Sequence, residues 1–218
     1  AVILGAVHDR GWKMSRLMAH LDDFRDEIMP LLLATTKSVV MCIESASPRM
    51  QKMLNKCLNL EKALELTKTL SHHSIQLTTA FMFGLPTETD DDIRASVEMA
   101  SRIRDINGKN LCMCYIYAPQ PQDMIVNGNG LRDEIDFSLE VVGNVEVIPV
   151  FPNIKIDLRL RPWMSEDDRT FYLDFVPVWF SHFGQKRDRR LTAAQVGEVY
   201  AHSPRIRRLF EGINLPVH

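Results

Sequence analysis

The pattern of apolar and polar positions is most regular between residues 37 and 119. In this segment, short continuous apolar runs alternate with stretches whose apolar residues recur every three or four positions. Continuous runs are typical of strands buried on both faces, and the wider spacing is typical of amphipathic helices. The resulting order of strand, helix, helix, strand, helix and strand predicts parallel α/β packing.

Turn and cap signals give the predicted bounds of these elements. Ser47 before Pro48 and Asn59 before the next apolar stretch are predicted N-caps. Acidic residues at 88–92 mark the start of the last helix, where the helix dipole favours negative charge. The predicted strands are 37–43, 75–83 and 111–117, and the predicted helices lie near 49–56, 60–72 and 89–106.

The segment before residue 37 predicts one more strand and one more helix. Residues 1–7 form a continuous apolar run that favours a buried strand, and the spacing within 14–28 favours a helix. The chain has no initiator Met and no signal-peptide pattern. We therefore expect these residues to be part of a longer protein.

After residue 122 the pattern changes. Residues 127–130 predict a flexible turn, and short strands are predicted at 145–150 and 154–160. Three helices are predicted beyond them, the first beginning near Ser165. We therefore divide the chain into an α/β part, residues 1–122, and a mostly helical C-terminal extension, residues 123–218.

Composition fits a folded protein of this class. Of the 218 residues 45% are hydrophobic, and 26 basic against 28 acidic side chains give a net charge of −2. This charge provides no global field to attract nucleic acid or an anionic membrane. The four cysteines, Cys42, Cys57, Cys112 and Cys114, do not suggest a disulfide framework. They predict reduced thiols and a cytoplasmic protein.

Chemistry in parallel α/β folds is placed at the carboxyl ends of strands. Glu44 directly follows an apolar strand, where a carboxylate suits hydrogen bonds from ligand hydroxyl or amino groups. The alternative is a solvated acid paired with Arg49. After the next strand, Gly84 would let a ligand approach the backbone, and Glu88 would cap the following helix. The alternative there is a strand-to-helix turn that binds nothing.

Together these motifs resemble part of a known family. Residues 23–121 are similar to the later half of the barrel of radical S-adenosylmethionine enzymes, through the ordered blocks 26–32, 37–47, 53–56 and 81–89. They are most similar to the subgroup that often carries an N-terminal cobalamin-binding domain. The resemblance implies a partial TIM-like (β/α) barrel. It also implies reductive cleavage of S-adenosylmethionine at a 4Fe–4S cluster, followed by radical-based modification or methyl transfer.

The resemblance further implies a set of cofactor-binding residues. Glu44 matches the acid that contacts the ribose or amino group of S-adenosylmethionine, and 84–88 match the element that shapes its adenine and methionine side. Residues 115–119 match the strand whose backbone borders adenine. The implied residues are Glu44, Ser45, Ser47, Gly84, Glu88, Tyr115 and Tyr117. No catalytic residue is implied.

Two features depart from the family pattern. Cys42 stands where the family commonly has Gly, and the chain contains no Cys-x-x-x-Cys-x-x-Cys loop. We therefore expect the ligands of the 4Fe–4S cluster to lie outside this chain, which would be inactive alone. The expected partners are the upstream half of the barrel and a cobalamin-binding domain of the same protein, together with a small-molecule substrate that the sequence does not identify.

Two alternatives stay open at this point. One is a cluster-free binding or scaffold module that uses the same pocket for a nucleotide or a protein partner. The other is an ordinary phosphate-binding α/β barrel, which ranks last. Glu88 and the acidic residues 90–92 make the start of the helix electrostatically unattractive for an anion.

Overall fold

A computed structural model describes residues 2–120, 123–128, 130–135, 156, 158–184 and 191–215. Its centre is a four-stranded sheet in which every neighbouring pair is parallel and the strands follow chain order. This order is that of consecutive strands in a (β/α) barrel. The α/β class predicted from the sequence is confirmed. The strands are β1 (Leu17–Met18), β2 (Ser38–Glu44), β3 (Gln76–Phe83) and β4 (Leu111–Ile116).

Helices connect the strands and form the C-terminal region. Ser47 and Asn59 are N-caps as predicted, because their side chains accept hydrogen bonds from the N–H groups of Met50 and Lys62. Ser165 caps the long C-terminal helix. The helices are α1 (Val2–Asp9), α2 (Met29–Thr35), α3 (Pro48–Met53), α4 (Leu60–His72), α5 (Asp90–Ile106), α6 (Met124–Gly128), α7 (Glu166–Phe183), α8 (Ala193–His202) and α9 (Pro204–Leu209).

One face of the sheet forms the main core with the helices. Trp179 of α7 is fully buried there, with its ring 5.3 Å from that of Phe81 and 5.0 Å from that of Phe83. Its indole N–H donates to the carbonyl oxygen of Cys112 at 2.8 Å. Truncating a buried Trp costs about 3–5 kcal/mol, so α7 contributes strongly to the stability of the sheet. The predicted division of the chain at residue 122, into an α/β part and a C-terminal extension, stays a prediction.

The opposite face of the sheet is less covered. It carries the alternate residues of the same strands, because successive side chains in a strand point to opposite sides. Most of these side chains are partly exposed, in contrast to the fully buried face. They are Ser38, Cys42, Thr78, Met82, Leu111, Met113 and Tyr115. Glu44, at the irregular end of β2 where alternation does not apply, is also partly exposed, and its charge interacts with Cys42 and Tyr115 of this surface. We call this surface the open face.

Two predictions for the N-terminal segment are wrong. The apolar run 1–7 predicts a strand, but Val2–Asp9 is a helix that packs on α2. A short apolar run does not distinguish a buried strand from a helix. The spacing within 14–28 predicts a helix, but Leu17–Met18 pairs with Val39 and Val40 at the sheet edge. Pairing with a distant strand overrides the local helical spacing there.

The region after residue 122 differs in part from its prediction. The turn predicted at 127–130 is wrong in its first half, because α6 extends through Gly128. Leu158–Leu160 is a 3₁₀ turn rather than the end of a strand. The strand predicted at 145–150 lies outside the described residues. Within the part of the chain that the structure describes, no helix is long and apolar enough to cross a membrane.

Candidate functional site

The carboxyl end of β2 holds Glu44 in an unusual backbone conformation. Its φ is +65°, and the N–H of Ser45 donates to the carbonyl oxygen of Ile43 at 2.9 Å, which closes a γ-turn around Glu44. The pairing with β3 shifts register between Cys42 and Glu44. A left-handed non-glycine residue costs about 1–2 kcal/mol, so the surrounding structure must enforce this turn.

Lys56 is the ionic partner of Glu44. Its Nζ lies 2.9 Å from Oε1 of Glu44, and the two side chains are only 26% and 19% exposed. The residues on either side of Lys56, Asn55 and Cys57, both have left-handed φ values, +53° and +47°. The sequence offered Arg49 as the alternative partner and gave Lys56 no role. Asn55 is of a type that favours left-handed positions, but Cys57 is not, so the sequence carried only a weak signal for the turn that presents Lys56.

Cys42 and Tyr115 of the open face interact electrostatically with Glu44 of this ion pair. Burial raises the pKa of the Cys42 thiol, with a further contribution from Glu44 that Lys56 opposes. Burial also raises the pKa of Tyr115, and the charges of Cys42 and Glu44 add to the effect. Cys42 and Glu44 lie at the end of β2 and Tyr115 lies near the end of β4, with β3 between them. We call Cys42, Glu44, Lys56 and Tyr115 the strand-end site.

Ser45 and Ser47, predicted as cofactor contacts, bind within their own loop. Ser45 is fully buried, and its Oγ accepts from the N–H of Ser47 at 3.2 Å and lies 3.5 Å from Oγ of Ser96. The hydroxyl of Ser47 caps α3 and donates to Asp92. Both hydroxyls are therefore engaged in supporting the loop. Direct cofactor contact by either remains a prediction.

Asp92 ties the loops after β2 and β3 together. Its carboxylate accepts hydrogen bonds from Arg49 and Ser47 of one loop and from Thr89 of the other. Burial opposes its ionisation, but the hydrogen bonds outweigh burial and lower its pKa to about 2. Arg49 also donates to the carbonyl oxygen of Thr87 at 2.6 Å. The segments that follow β2 and β3 are thus joined behind Glu44 by one hydrogen-bond network centred on Asp92.

Glu88 does not cap the following helix. Thr89 is the N-cap of α5 and forms a capping box with Asp92. Oε2 of Glu88 instead accepts from the N–H of Gly84 at 2.7 Å and from the hydroxyl of Tyr172 at 2.8 Å. Burial raises the pKa of Glu88 to about 8, although both hydrogen bonds favour its charged form.

Residues of the C-terminal region cover Gly84. Its φ is +74°, and a Cβ there would lie 3.0 Å from Cε of Met164 and 3.2 Å from Cγ2 of Ile116. Its carbonyl oxygen accepts a hydrogen bond of 3.0 Å from the indole N–H of Trp163. The space that the sequence assigned to a ligand next to Gly84 is filled by side chains. A cofactor contact at Gly84 or Glu88 stays a prediction.

The two tyrosines of the predicted site differ in their surroundings. Tyr117 is buried, its hydroxyl donates to Asp123 at 2.9 Å, and its carbonyl oxygen accepts from Nε of Arg161 at 2.8 Å. Burial, followed by the contact with Asp123, raises its pKa. Tyr115 lies two residues earlier and is only half-buried on the open face. Of the seven predicted residues, Glu44 and Tyr115 are therefore the two that interact electrostatically at the open face.

The thiols do not fit a 4Fe–4S cluster. Cys112 and Cys114 are buried on the helix-facing side of β4, whereas Cys42 lies on the open face. Burial raises the pKa of Cys112 to about 12, so this thiol is protonated at neutral pH. In the described ranges, no group of three or more His, Cys, Asp or Glu is placed to hold a metal ion.

Comparison with curated proteins gives one partial similarity of sequence. No family model matches the chain. A protein of uncharacterized function from Methanocaldococcus jannaschii is 26% identical over 99 residues, which cover 44% of this chain and 21% of that protein. The chain thus spans about a fifth of the length of this relative. The similarity does not assign a function.

Comparison with solved structures gives similarities to radical S-adenosylmethionine enzymes. One is the methyltransferase TsrM from Kitasatospora setae with cobalamin and a [4Fe-4S] cluster bound, with a TM-score of 0.48 and 16% identity over 57% of this chain and 25% of that one. Another is coproporphyrinogen III oxidase (HemN) from Escherichia coli, with a TM-score of 0.44 and 12% identity over 77% of this chain and 33% of that one. These enzymes belong to the class that the sequence resembles. With TM-scores below 0.5, the similarities carry no argument about activity.

Proposed function

We propose that the strand-end site binds S-adenosylmethionine and that the chain is part of a radical S-adenosylmethionine enzyme. The observation that carries the proposal is the Glu44–Lys56 ion pair at the carboxyl end of β2, where the charge of Glu44 interacts with Tyr115 of the open face. Parallel α/β folds bind ligands at this edge. The resemblance in sequence supports the same ligand, because the residues it implies, 44–47, 84–88 and 115–117, lie at the carboxyl ends of three adjacent strands.

The ion pair is complementary to the amino-acid group of S-adenosylmethionine, which carries one ammonium and one carboxylate group. In the proposal, Glu44 accepts hydrogen bonds from the ligand's ammonium or ribose hydroxyl groups, and Lys56 donates to its carboxylate. When the ligand binds, the Glu44–Lys56 pair is replaced by two pairs, one between Glu44 and the ligand's ammonium group and one between Lys56 and its carboxylate. No charge is left unpaired. This matters because Glu44 and Lys56 are mostly buried, and an unpaired charge there would be costly.

The adenine side is assigned to the end of β4. The half-buried ring of Tyr115 offers an aromatic surface on the open face, with β3 between its strand and that of Glu44. Tyr117 is covered by the C-terminal region, and its N–H and carbonyl oxygen already bind Phe83 and Arg161, so it would shape the end of β4 rather than bind the ligand through its ring. Ser45, Ser47, Gly84 and Glu88 would act by shaping the turns behind the site. This division follows from which side chains are already engaged inside the protein.

The role of this chain is to bind and orient S-adenosylmethionine. In the family that the sequence resembles, a 4Fe–4S cluster supplies the electron that cleaves the sulfonium group of S-adenosylmethionine. The cysteines of this chain do not fit that cluster, so its ligands belong, in the proposal, to another part of the same protein. A cobalamin-binding domain would also lie there. The reaction class is radical-based modification or methyl transfer of a small molecule.

A titration of the 218-residue chain tests the binding step. S-Adenosylmethionine, adenosine 5′-monophosphate and adenosine are added separately, and binding is measured by calorimetry. We expect S-adenosylmethionine to bind and Glu44→Gln to weaken it about tenfold or more, which corresponds to about 1.4 kcal/mol. Glu65→Gln removes an exposed pair with Lys68 and is the matched control. Its affinity should equal that of the wild type.

The same titration separates the alternatives. A folded wild-type chain that binds no adenosyl compound would refute the proposal. Tighter binding of adenosine 5′-monophosphate than of S-adenosylmethionine would favour a phosphate site instead. The product of the complete reading frame, reconstituted without oxygen, tests the reaction. It should form 5′-deoxyadenosine or S-adenosylhomocysteine on reduction, and binding without either product would indicate a cluster-free binding module.

A further inference from the structure

A buried side chain of a neighbouring helix binds the γ-turn at Glu44. Gln51 of α3 is only 4% exposed, and its side-chain amide faces back toward the end of β2. Its Nε2 group donates to the carbonyl oxygens of Ile43 and Ser45, at 3.1 and 2.5 Å. These carbonyls belong to the residues on either side of Glu44. One amide therefore binds both ends of the turn.

Gln51 also organises the segment that presents Lys56. Its side-chain oxygen accepts from the N–H of Leu58 at 2.9 Å, and its backbone carbonyl accepts from the N–H of Lys56 at 3.0 Å. Asn55 and Cys57, the two left-handed residues, lie within this segment. The amide orientation is determined by these partners, because two acceptors face its nitrogen and one donor faces its oxygen.

We infer that Gln51 is the positioning residue of the strand-end site, because it holds both the left-handed turn of Glu44 and the loop of Lys56. Its role is to set the geometry of the pair, and only the consequence for ligand affinity rests on the proposed function. Glu44 and Lys56 are 12 residues apart and lie on different segments. A single side chain that binds the backbone of both segments holds the two residues within reach of each other.

The chemistry of a primary amide is needed for this role. A methionine of similar length would fill the space but would leave the carbonyl of Ser45 and the N–H of Leu58 without this partner, and the carbonyl of Ile43 with the N–H of Ser45 alone. A glutamate would still accept from Leu58, but its carboxylate would face the carbonyl oxygens of Ile43 and Ser45. Gln51→Met thus removes all three side-chain bonds, and Gln51→Glu removes only the two bonds that hold the turn at Glu44.

The test uses nuclear magnetic resonance of the complete 218-residue chain. The backbone chemical shifts and the HN–Hα scalar coupling constant of Glu44 report its φ. A double-mutant cycle measures the interaction free energy between Glu44 and Lys56. We expect Gln51→Met to shift the Glu44 signals away from the left-handed values and to abolish the interaction free energy between Glu44 and Lys56, which we call their coupling. Gln51→Glu gives the same readout at Glu44 if the methionine variant does not fold.

Asn110→Leu is the matched control. Asn110 is also a buried amide that bridges two backbone groups, the N–H of Leu77 and the carbonyl of Ile103, but it lies at the opposite end of the sheet. Its loss should destabilise the protein and leave the Glu44 signals and the coupling unchanged. Retention of the left-handed Glu44 signature and of the coupling in both Gln51 variants would overturn the inference.

Ligand binding separates this inference from the proposed function. If the wild type binds S-adenosylmethionine, Gln51→Met should lower the affinity about as much as Glu44→Gln does. If the wild type binds no adenosyl compound but Gln51→Met still abolishes the coupling, the positioning role holds and the proposed function fails. Unchanged affinity in a Gln51→Met variant that binds S-adenosylmethionine would overturn the role of Gln51 in the site.

Discussion

The hydroxyl of Tyr172 on α7 donates a hydrogen bond of 2.8 Å to Oε2 of Glu88, which follows β3. The N–H of Gly84 donates to the same oxygen at 2.7 Å. The C-terminal region is therefore joined to the turn at the end of β3 through one carboxyl group. Burial raises the pKa of that group to about 8, so the junction titrates near neutral pH.

Stability is expected to fall as the pH rises through the titration of Glu88. Between its ordinary pKa of 4.5 and about 8, the folded state binds more protons at Glu88 than the unfolded state does. The free energy of unfolding therefore declines across this window and levels off above it. Glu88→Gln keeps an oxygen for both hydrogen bonds and should remove this part of the decline. Denaturant midpoints between pH 5 and 9 measure it.

Comparison of the variant with the wild type isolates Glu88 from other titrating groups. Burial lowers the pKa of His182 to about 4, for example, but His182 contributes equally to both proteins. Glu65→Gln on the surface of α4 should follow the wild-type profile. If Glu88→Gln follows it as well, the carboxyl group does not carry the pH dependence.

Replacing Gly84 by alanine should cost more than replacing a glycine of similar φ in open space. Gly212 has a φ of +78°, and no atom lies within 4 Å of the position that an added methyl group would take. Gly212→Ala therefore measures backbone strain alone, about 1–2 kcal/mol. Gly84→Ala adds contacts with Met164 and Ile116 and should lose about 1–3 kcal/mol more. Urea denaturation gives both values. Equal losses would mean that the C-terminal region adapts without cost.

Local signals were sufficient where an element depends on its own residues. The strand from Gln76 to Phe83 and the caps Ser47 and Asn59 were predictable, because apolar runs and cap side chains act within a few positions. The edge strand at Leu17 was not predictable from its own spacing. It exists because the backbone of β2 offers a parallel partner 22 positions later.

The candidate site was predictable in part for the same reason. Glu44 was found because it directly follows a strand, whereas Lys56 depends on two left-handed residues that are not glycines. Trp163 reaches Gly84 across 79 positions of sequence. No periodicity records a contact of that range. Sequence pattern therefore located the strand end, and long-range packing determined which side chains remain available there.

Asp92→Asn should lower the free energy of unfolding of the protein by about 2 kcal/mol at neutral pH, because it weakens the hydrogen-bond network behind the site. The pKa of Asp92 is lowered from 3.8 to about 2, and each unit corresponds to about 1.4 kcal/mol. The stabilisation is present above pH 3.8 and is lost as the pH falls toward 2. The difference between wild type and variant should therefore shrink in acid-denaturation curves. Asp91→Asn, at an exposed neighbouring position, should show no such difference.

Lys56→Met should change which adenosyl ligands the chain prefers. In the proposed site Lys56 binds the ligand's carboxylate, and a charge-assisted hydrogen bond contributes about 1.5–3 kcal/mol. The wild type should therefore prefer S-adenosylmethionine to its decarboxylated form. The variant should lose about tenfold or more in affinity for the former. Its affinity for the decarboxylated ligand should be kept or increased, because Glu44 is then free to bind the ligand's ammonium group.

Calorimetric titration of both ligands into the wild type, Lys56→Met and Lys68→Met measures this preference. Lys68 forms a surface pair with Glu65 and serves as the control for loss of one lysine charge. Equal loss of affinity for both ligands in Lys56→Met would show that Lys56 only supports the fold of the site. Loss confined to S-adenosylmethionine would place the ammonium group of Lys56 against the ligand's carboxylate, since that carboxylate is the one group in which the two ligands differ.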